Sequence, residues 1–260
     1  LSLMKDLVAD CDQILAAAAR IGGIRYFHEY AYDLLAENER ILATTFDAAI
    51  WAYKSRKLKK INVLSSSMVF ENAAEFPTPE SHLPHCPPPS STYGFQKLAN
   101  CVGIGEQRAL TDHDIPSGNI TLAMSHVVPD LAQKILKGQD PLHILGDGRQ
   151  VRCYTYGGDL AKGIRRCIEH PQAINTDFNL STAQSTTVLE LAKMIWNKIH
   201  SDHRPFQFVC DEPFQYDVQM RVPHVEKAWE ILQFRAATPL GTMLDEVIPW
   251  IKSQISLSAL

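Results

Sequence analysis

The sequence predicts an α/β fold, a doubly wound parallel sheet with a smaller mixed α/β lobe, and three observations carry that reading. A stretch of helical periodicity at residues 32–54 runs into a short apolar strand at 61–64, INVL; helix then apolar strand is the rhythm of a parallel sheet covered on both faces. A serine triplet, Ser65-Ser66-Ser67, stands at the carboxyl end of that strand, where such sheets bind ligands. Beyond residue 100 short strands and helices alternate around a Gly146-Asp147-Gly148 turn, as expected of a second, mixed lobe.

Taken in order, residues 13–19 (QILAAAA) form a buried strand closing into a loop at Gly22-Gly23. The helix at 32–54 repeats Leu34, Leu35, Ile41, Leu42, Phe46, Ala49, Ile50 and Tyr53 at three-to-four spacing. Its basic tail (Lys54, Arg56, Lys57, Lys59, Lys60) reads as solvated charge favoured at a helix C-terminus. Residues 76–90 are a proline-rich surface loop, after which Ser90, Ser91 or Thr92 caps a helix from Tyr93. Helices follow at 127–136, 159–168, 187–199, 225–232 and 240–255, with strands at 143–145, 152–156 and 178–180.

The 260 residues, 45% hydrophobic, suffice for one large domain or two small ones, and a net charge of −4 gives no sign of a nucleic-acid or membrane-surface binder. No apolar run approaches the roughly 18 residues of a membrane span, and residues 1–10 do not read as a signal peptide. Six cysteines (Cys11, Cys86, Cys101, Cys153, Cys167, Cys210) without a CxxC pair read as reduced thiols, hence a cytoplasmic protein. His82, His85 and Cys86 lack a second ligand pair, so no metal is expected.

The sharpest chemical signal is Tyr93-Gly94-Phe95-Gln96-Lys97. Residues i and i+4 share a helix face, so Tyr93 and Lys97 project together. A tyrosine with a pKa near 10 is a poor base at neutral pH; a neighbouring ammonium favours the phenolate and is expected to lower that pKa. A serine hydroxyl of the triplet beside it can hold a substrate oxygen whose proton moves.

With that order of strand, serines, proline-rich loop and YxxxK, the chain resembles the NAD-dependent epimerase/dehydratase family, extended short-chain dehydrogenases acting on nucleotide sugars. LAAAARIGGI (15–24) is similar to the family's fourth strand and following loop, SSSMVF (65–70) to its SS-x-x-V-Y-G motif, and NCVGIGE (100–106) to its N-x-Y-G-P-G segment. LGDGRQVRCYTYGGDLAKGI (145–164) is similar to the G-x-G-x-Q-x-R segment, and DVQMRVPHVEKAWEILQF (217–234) to the closing segment.

The resemblance implies a Rossmann-like sheet and epimerisation of a nucleotide-diphosphate sugar through a transient keto state. Ser66, Tyr93 and Lys97 are the catalytic residues it implies. Ala17, Ala18, Asn38, Ser65, Tyr93 and Lys97 would meet NAD; Gly22, Gly23, Ile24, Ser67, Asn100, Arg152 and Arg221 would meet the substrate. It places the NAD-binding domain at 1–100, with 150–170 returning to it, and the substrate lobe at 101–149 and 171–260. A homodimer stays open. So do two other readings: a non-catalytic nucleotide-sugar-binding homologue, and a one-way NAD(P)-dependent reductase or dehydrogenase.

The chain departs from the family pattern in places. No Gly-x-Gly-x-x-Gly follows a first strand, so the sheet is expected to be incomplete at its N-terminal side, and the segment that would separate NAD from NADP is missing. Only Leu98 and Ala99 separate Lys97 from Asn100, where the resemblance requires the rest of a helix and a strand. Three residue steps span at most about 11 Å, so residues are expected to be missing there, by deletion or otherwise. Met68 and Ser67 stand where the family's dehydratases carry glutamate and aspartate, which disfavours dehydration.

Overall fold

A computed structural model describes residues 1–22, 26, 29–102, 108–111, 126–200, 204–214 and 217–258, the side chains of 100–102, 108–111 and 258 excepted. Gly23 and Ile24 lie outside the described residues. The first elements are helix α1 (Ser2–Val8), strand β1 (Gln13–Ala16), helix α2 (Ala31–Ser55) and strand β2 (Lys60–Leu64). Helix α3 (Thr92–Val102) and strand β3 (Arg108–Thr111) follow. Next come α4 (Val127–Leu136), β4 (Leu142–Leu145), β5 (Val151–Arg152), α5 (Gly157–Glu169), β6 (Asp177–Leu180) and β7 (Thr186–Thr187). The last are α6 (Val188–Ile199), β8 (Phe208–Asp211), β9 (Met220–Arg221), α7 (Glu226–Leu232) and α8 (Leu240–Ser258).

The main sheet has the order β1-β2-β3-β6 and is parallel throughout. Side chains alternate along a strand, and β2 uses both of its faces. Ile61 and Val63 pack with Val8, Ile14, Phe46 and Ala49 of the β1, α1 and α2 layer. Leu64 faces the opposite cluster, in which Leu160 and Cys167 of α5 meet Phe178, Leu180, Ala228 and Leu232. The sheet is therefore covered by helices on both sides, the doubly wound arrangement expected of its apolar strands.

The C-terminal half builds a second core from α4, β4, α6 and α8, with Leu131, Ile135, Leu142, Ile144, Leu191, Ile195, Trp196, Leu244 and Ile251 nearly inaccessible. A reciprocal cap starts α6: Thr187 Oγ1 accepts from the Glu190 N–H at 3.1 Å, and Glu190 accepts from the Thr187 N–H at 2.8 Å. Smaller sheets, β4-β8 and β7-β5-β9, complete this lobe.

Three expectations need correction. Helix α3 runs on to Val102, with Leu98 packed against the Val69–Phe70 cluster, and β3 follows it. Asn100 thus lies on the Tyr93/Lys97 helix rather than beyond a later strand; the helix ends at Val102 and the strand Arg108–Thr111 comes after it. β3 and β6 both belong to the main sheet, although the expected boundaries put them in the substrate lobe; pairing on either side of β3, not composition, decides this. The proline-rich stretch is also more than a surface loop, since Thr78 and Glu80 within it are buried.

Candidate active site

The carboxyl end of β2 delivers Ser65, Ser66 and Ser67 as a buried row. Ser66 has extended backbone and caps the short 3₁₀ turn Ser67–Phe70, its Oγ accepting the Met68 N–H at 3.2 Å. The cap aims the serine hydroxyl at the start of α3.

That helix start is itself tightly specified. Ser91 Oγ accepts the Gly94 N–H at 3.0 Å and donates to Glu71 Oε2 at 2.9 Å, which also accepts the Ser91 N–H at 2.9 Å. A Cβ on Gly94 would stand 2.7 Å from both the Met68 carbonyl oxygen and Pro89 Cβ. Only a glycine next to Tyr93 lets the helix approach the serine turn this closely.

Ser66, Tyr93 and Lys97 converge as expected. Tyr93 and Ser66 share a side-chain hydrogen bond. Lys97 Nζ lies over the Tyr93 ring, 5.7 Å from its centroid, and donates to the Leu64 carbonyl at 3.1 Å. All three side chains are buried at the carboxyl edge of the parallel sheet.

The electrostatics differ from the expectation. Burial pushes the Tyr93 phenol up to about 12, against the hydrogen bond from Ser66 and the positive charge of Arg221. Desolvation outweighs both here, so in the protein alone Tyr93 is held as a phenol rather than brought towards neutrality.

The other candidate residues divide. Ala17 and Ala18 are exposed just beyond β1, beside the end of β2. Asn38 is buried on α2 with both polar ends on the Arg20 backbone: its Oδ1 accepts the Arg20 N–H at 2.6 Å and its Nδ2 donates to the Arg20 carbonyl at 3.0 Å. It anchors the loop after β1. Gly22 lies under the Tyr26 ring, where a Cβ would meet Tyr26 atoms at 2.6 Å. Asn100 is placed by its helix backbone only.

Arg152 is turned into the protein. It donates to the carbonyls of Val151 at 2.9 Å and of Val218, and lies 3.7 Å from Asp217. Arg221, paired in register with Arg152 across β5 and β9, instead reaches Met68, its Nη1 being 3.0 Å from the sulfur.

The reading from sequence missed the clamp behind the site. Glu80 Oε1 accepts the Asn179 N–H at 2.7 Å, while Asn179 Nδ2 donates to the carbonyls of Thr78 at 3.0 Å and His224 at 3.1 Å. Thr78 donates its N–H to the Val222 carbonyl at 2.8 Å and accepts from the His224 N–H at 2.9 Å. These partners are far apart in the chain, and an acidic residue between prolines was the only local hint.

A chemically coherent unit results: a phenol, a hydroxyl bonded to it, and a lysine on the ring face, at the sheet edge where ligands bind. Comparison with known proteins agrees. The model of the NAD dependent epimerase/dehydratase family matches residues 2–108 and 115–181. A putative GDP-L-fucose synthase of Oryza sativa subsp. japonica is 28% identical over 198 residues, which is 70% of this chain but 56% of the rice protein. Among solved structures, the UDP-glucose 4-epimerase of Thermotoga maritima with UDP-glucose is similar at a TM-score of 0.77 and 21% identity, covering 98% of this chain and 82% of that one. The UDP-glucuronic acid 4-epimerase of Bacillus cereus, in complex with UDP-glucuronic acid and NAD, is similar at 0.77 and 20%, covering 96% and 78%. At these identities the solved structures speak for the Rossmann-type fold. Among the described residues, no helix is long and apolar enough to cross a membrane.

Proposed function

This chain belongs to the NAD-dependent epimerase/dehydratase family, and from that premise we propose that it epimerises a nucleotide-diphosphate sugar by oxidation and re-reduction at one carbon. The observation that carries this reading is the buried Ser66–Tyr93 hydrogen bond with Lys97 against the ring.

The residues present fit the nicotinamide end of NAD. Lys97 Nζ is hydrogen-bonded to the last residue of β2, and the small, exposed Ala17 and Ala18 follow the neighbouring strand β1; small side chains there suit a flat ring and its ribose. Lys97 and Tyr93 would hold the ribose, Ser65 and the alanines the neighbouring edge. The chemistry that bound NAD supplies is acceptance and return of a hydride.

The protein's own part is proton handling. In its phenolate form Tyr93 takes the proton of the sugar hydroxyl as the carbon is oxidised, becoming the phenol, and gives that proton back on reduction. Ser66 hydrogen-bonds the same oxygen and holds it towards Tyr93. Lys97 keeps a positive charge against the ring while the phenolate exists. Dehydration needs an acid and a base in addition, and Met68 offers a thioether where the family's dehydratases carry a carboxylate.

The experiment is to incubate the expressed protein with NAD, and separately with NADH or NADPH, and a panel of UDP- and GDP-linked sugars, following epimer formation by chromatography and cofactor binding and consumption by absorbance. Epimerised product with retained NAD supports the reading. Binding of a nucleotide sugar with neither NAD retention nor conversion overturns it in favour of a binding protein; net reduction with NAD(P)H consumed overturns it in favour of a one-way reductase.

A further inference from the structure

The Tyr93 site is covered by a segment from the far end of the chain. Met68, Tyr93 and Val218 form one buried cluster. Arg221, 153 residues after Met68, places Nη1 3.0 Å from the Met68 sulfur at the edge of that cluster.

Arg221 is held there by backbone bonds, so its position needs no substrate. On its N-terminal side β9 pairs with β5, Met220 beside Val151 and Arg221 beside Arg152. On its C-terminal side the Val222 carbonyl accepts the Thr78 N–H at 2.8 Å, and the His224 N–H donates to Thr78 at 2.9 Å. Two arginines in register would repel, but Arg152 turns to the carbonyls of Val151 and Val218 and to Asp217, while Arg221 is directed at Met68, whose side chain packs with Tyr93.

We propose that Arg221 is a positioning residue for Tyr93: a second cation, supplied by β9 from outside the Ser66–Tyr93–Lys97 set, that stabilises the phenolate through which Tyr93 accepts a proton. The proposal rests on the reading of Tyr93 as the base. Among the described residues around Tyr93, Glu71, which ends the turn packed on it, is engaged by the Ser91 N–H and hydroxyl at 2.9 Å each. Lys97, on the same helix, is engaged with the Leu64 carbonyl and lies against the ring face. Glu37, on the helix packed along α3, is paired with Arg20 at 2.5 Å. The turn packed on Tyr93 is Ser67, Met68, Val69 and Phe70, with no ionised side chain. From β9 and the residues before it come Arg221, Arg152 and Asp217, the last two facing one another at 3.7 Å. The positive charge that acts on the phenol along with the Ser66 hydrogen bond is that of Arg221. A cation whose charge reaches a poorly solvated phenolate is worth far more there than at the surface.

The test replaces Tyr93 with a genetically encoded fluorotyrosine, whose lower intrinsic pKa brings ionisation into a range where the protein stays folded. Phenolate absorbance is then titrated with Arg221 intact, in Arg221→Met and in Arg221→Lys. The ionisation midpoint should rise by roughly 1 pH unit or more in Arg221→Met, and Arg221→Lys should recover much of the difference. A lost packing contact alone would not separate methionine from lysine in this way. An unmoved midpoint in Arg221→Met, or equal midpoints in the Met and Lys variants, overturns the proposal. Should Arg221→Met not fold, Arg221→Gln takes its place under the same criteria. Turnover of Tyr93→Phe is measured separately: unchanged turnover removes the base assignment, whereas an unmoved midpoint removes only the role of Arg221.

Discussion

Replacing Glu80 by alanine should destabilise the protein markedly, while glutamine should be tolerated. Glu80 is buried and its Oε1 accepts the Asn179 backbone N–H at 2.7 Å. Alanine orphans that buried donor, which costs about 1–3 kcal/mol, and it empties the volume of the side chain. A total of roughly 2–4 kcal/mol is expected, a fall in Tm on the order of 5–10 °C for a chain of this size. Glutamine keeps an acceptor oxygen in nearly the same place. Burial pushes the Glu80 carboxyl above its ordinary range, against its backbone hydrogen bonds and the Lys227 charge. A raised folded-state pKa contributes stability that is present below the unfolded value and lost as pH rises through the folded one. Glu80→Gln should therefore gain on wild type as pH rises from the carboxylate range to neutrality. Urea denaturation of the three proteins at mildly acidic and neutral pH measures this. Glu80→Ala as stable as wild type, or Glu80→Gln no better than Glu80→Ala, would refute the clamp.

Two further perturbations follow from the same reasoning. Gly94→Ala would ordinarily help a helix by about 1 kcal/mol, but its Cβ would lie 2.7 Å from the Met68 carbonyl oxygen and Pro89 Cβ; overpacking of roughly 1–3 kcal/mol should lower Tm and reduce turnover together, and a stabilised, fully active Gly94→Ala would contradict the account. Asp159 accepts from the N–H groups of Ala237 at 3.0 Å and Thr238 at 2.7 Å. Burial opposes its ionisation, but bonds from Lys162 and Thr238 outweigh burial and hold the carboxyl below its usual range. The stability it contributes is present above the ordinary aspartate pKa of about 4 and lost as pH falls through the lower folded value; acid titration of stability should show that loss in wild type and not in Asp159→Ala.

What the sequence made legible was local. The helix expected at 127–136 is α4, because Val128, Leu131, Ala132 and Ile135 mark one apolar face. Ser66, Tyr93 and Lys97 could be read because a strand end and an i, i+4 pair need no long-range knowledge. β3 could not: Arg108–Thr111 is a strand only because β2 and β6 flank it. Nor could the inward turn of Arg152 or the reach of Arg221 to Met68, since each depends on residues tens of positions away. The expected break before Asn100 is not where the chain turns, because the helix that carries Tyr93 and Lys97 runs on to Val102. The Tyr93 pKa was misjudged because the pairing with Lys97 is visible in sequence and the burial is not.

The central claim, that Tyr93 moves the proton in a buried Ser66–Tyr93–Lys97 site, is tested most directly by the turnover ratio of wild type to Tyr93→Phe. It is measured on whichever nucleotide sugar the wild type converts, with bound NAD matched between the two proteins. The account predicts a loss of about 10²- to 10⁴-fold in Tyr93→Phe, the range of a general acid–base contribution, with the fold unchanged. Equal turnover by the two proteins would contradict it.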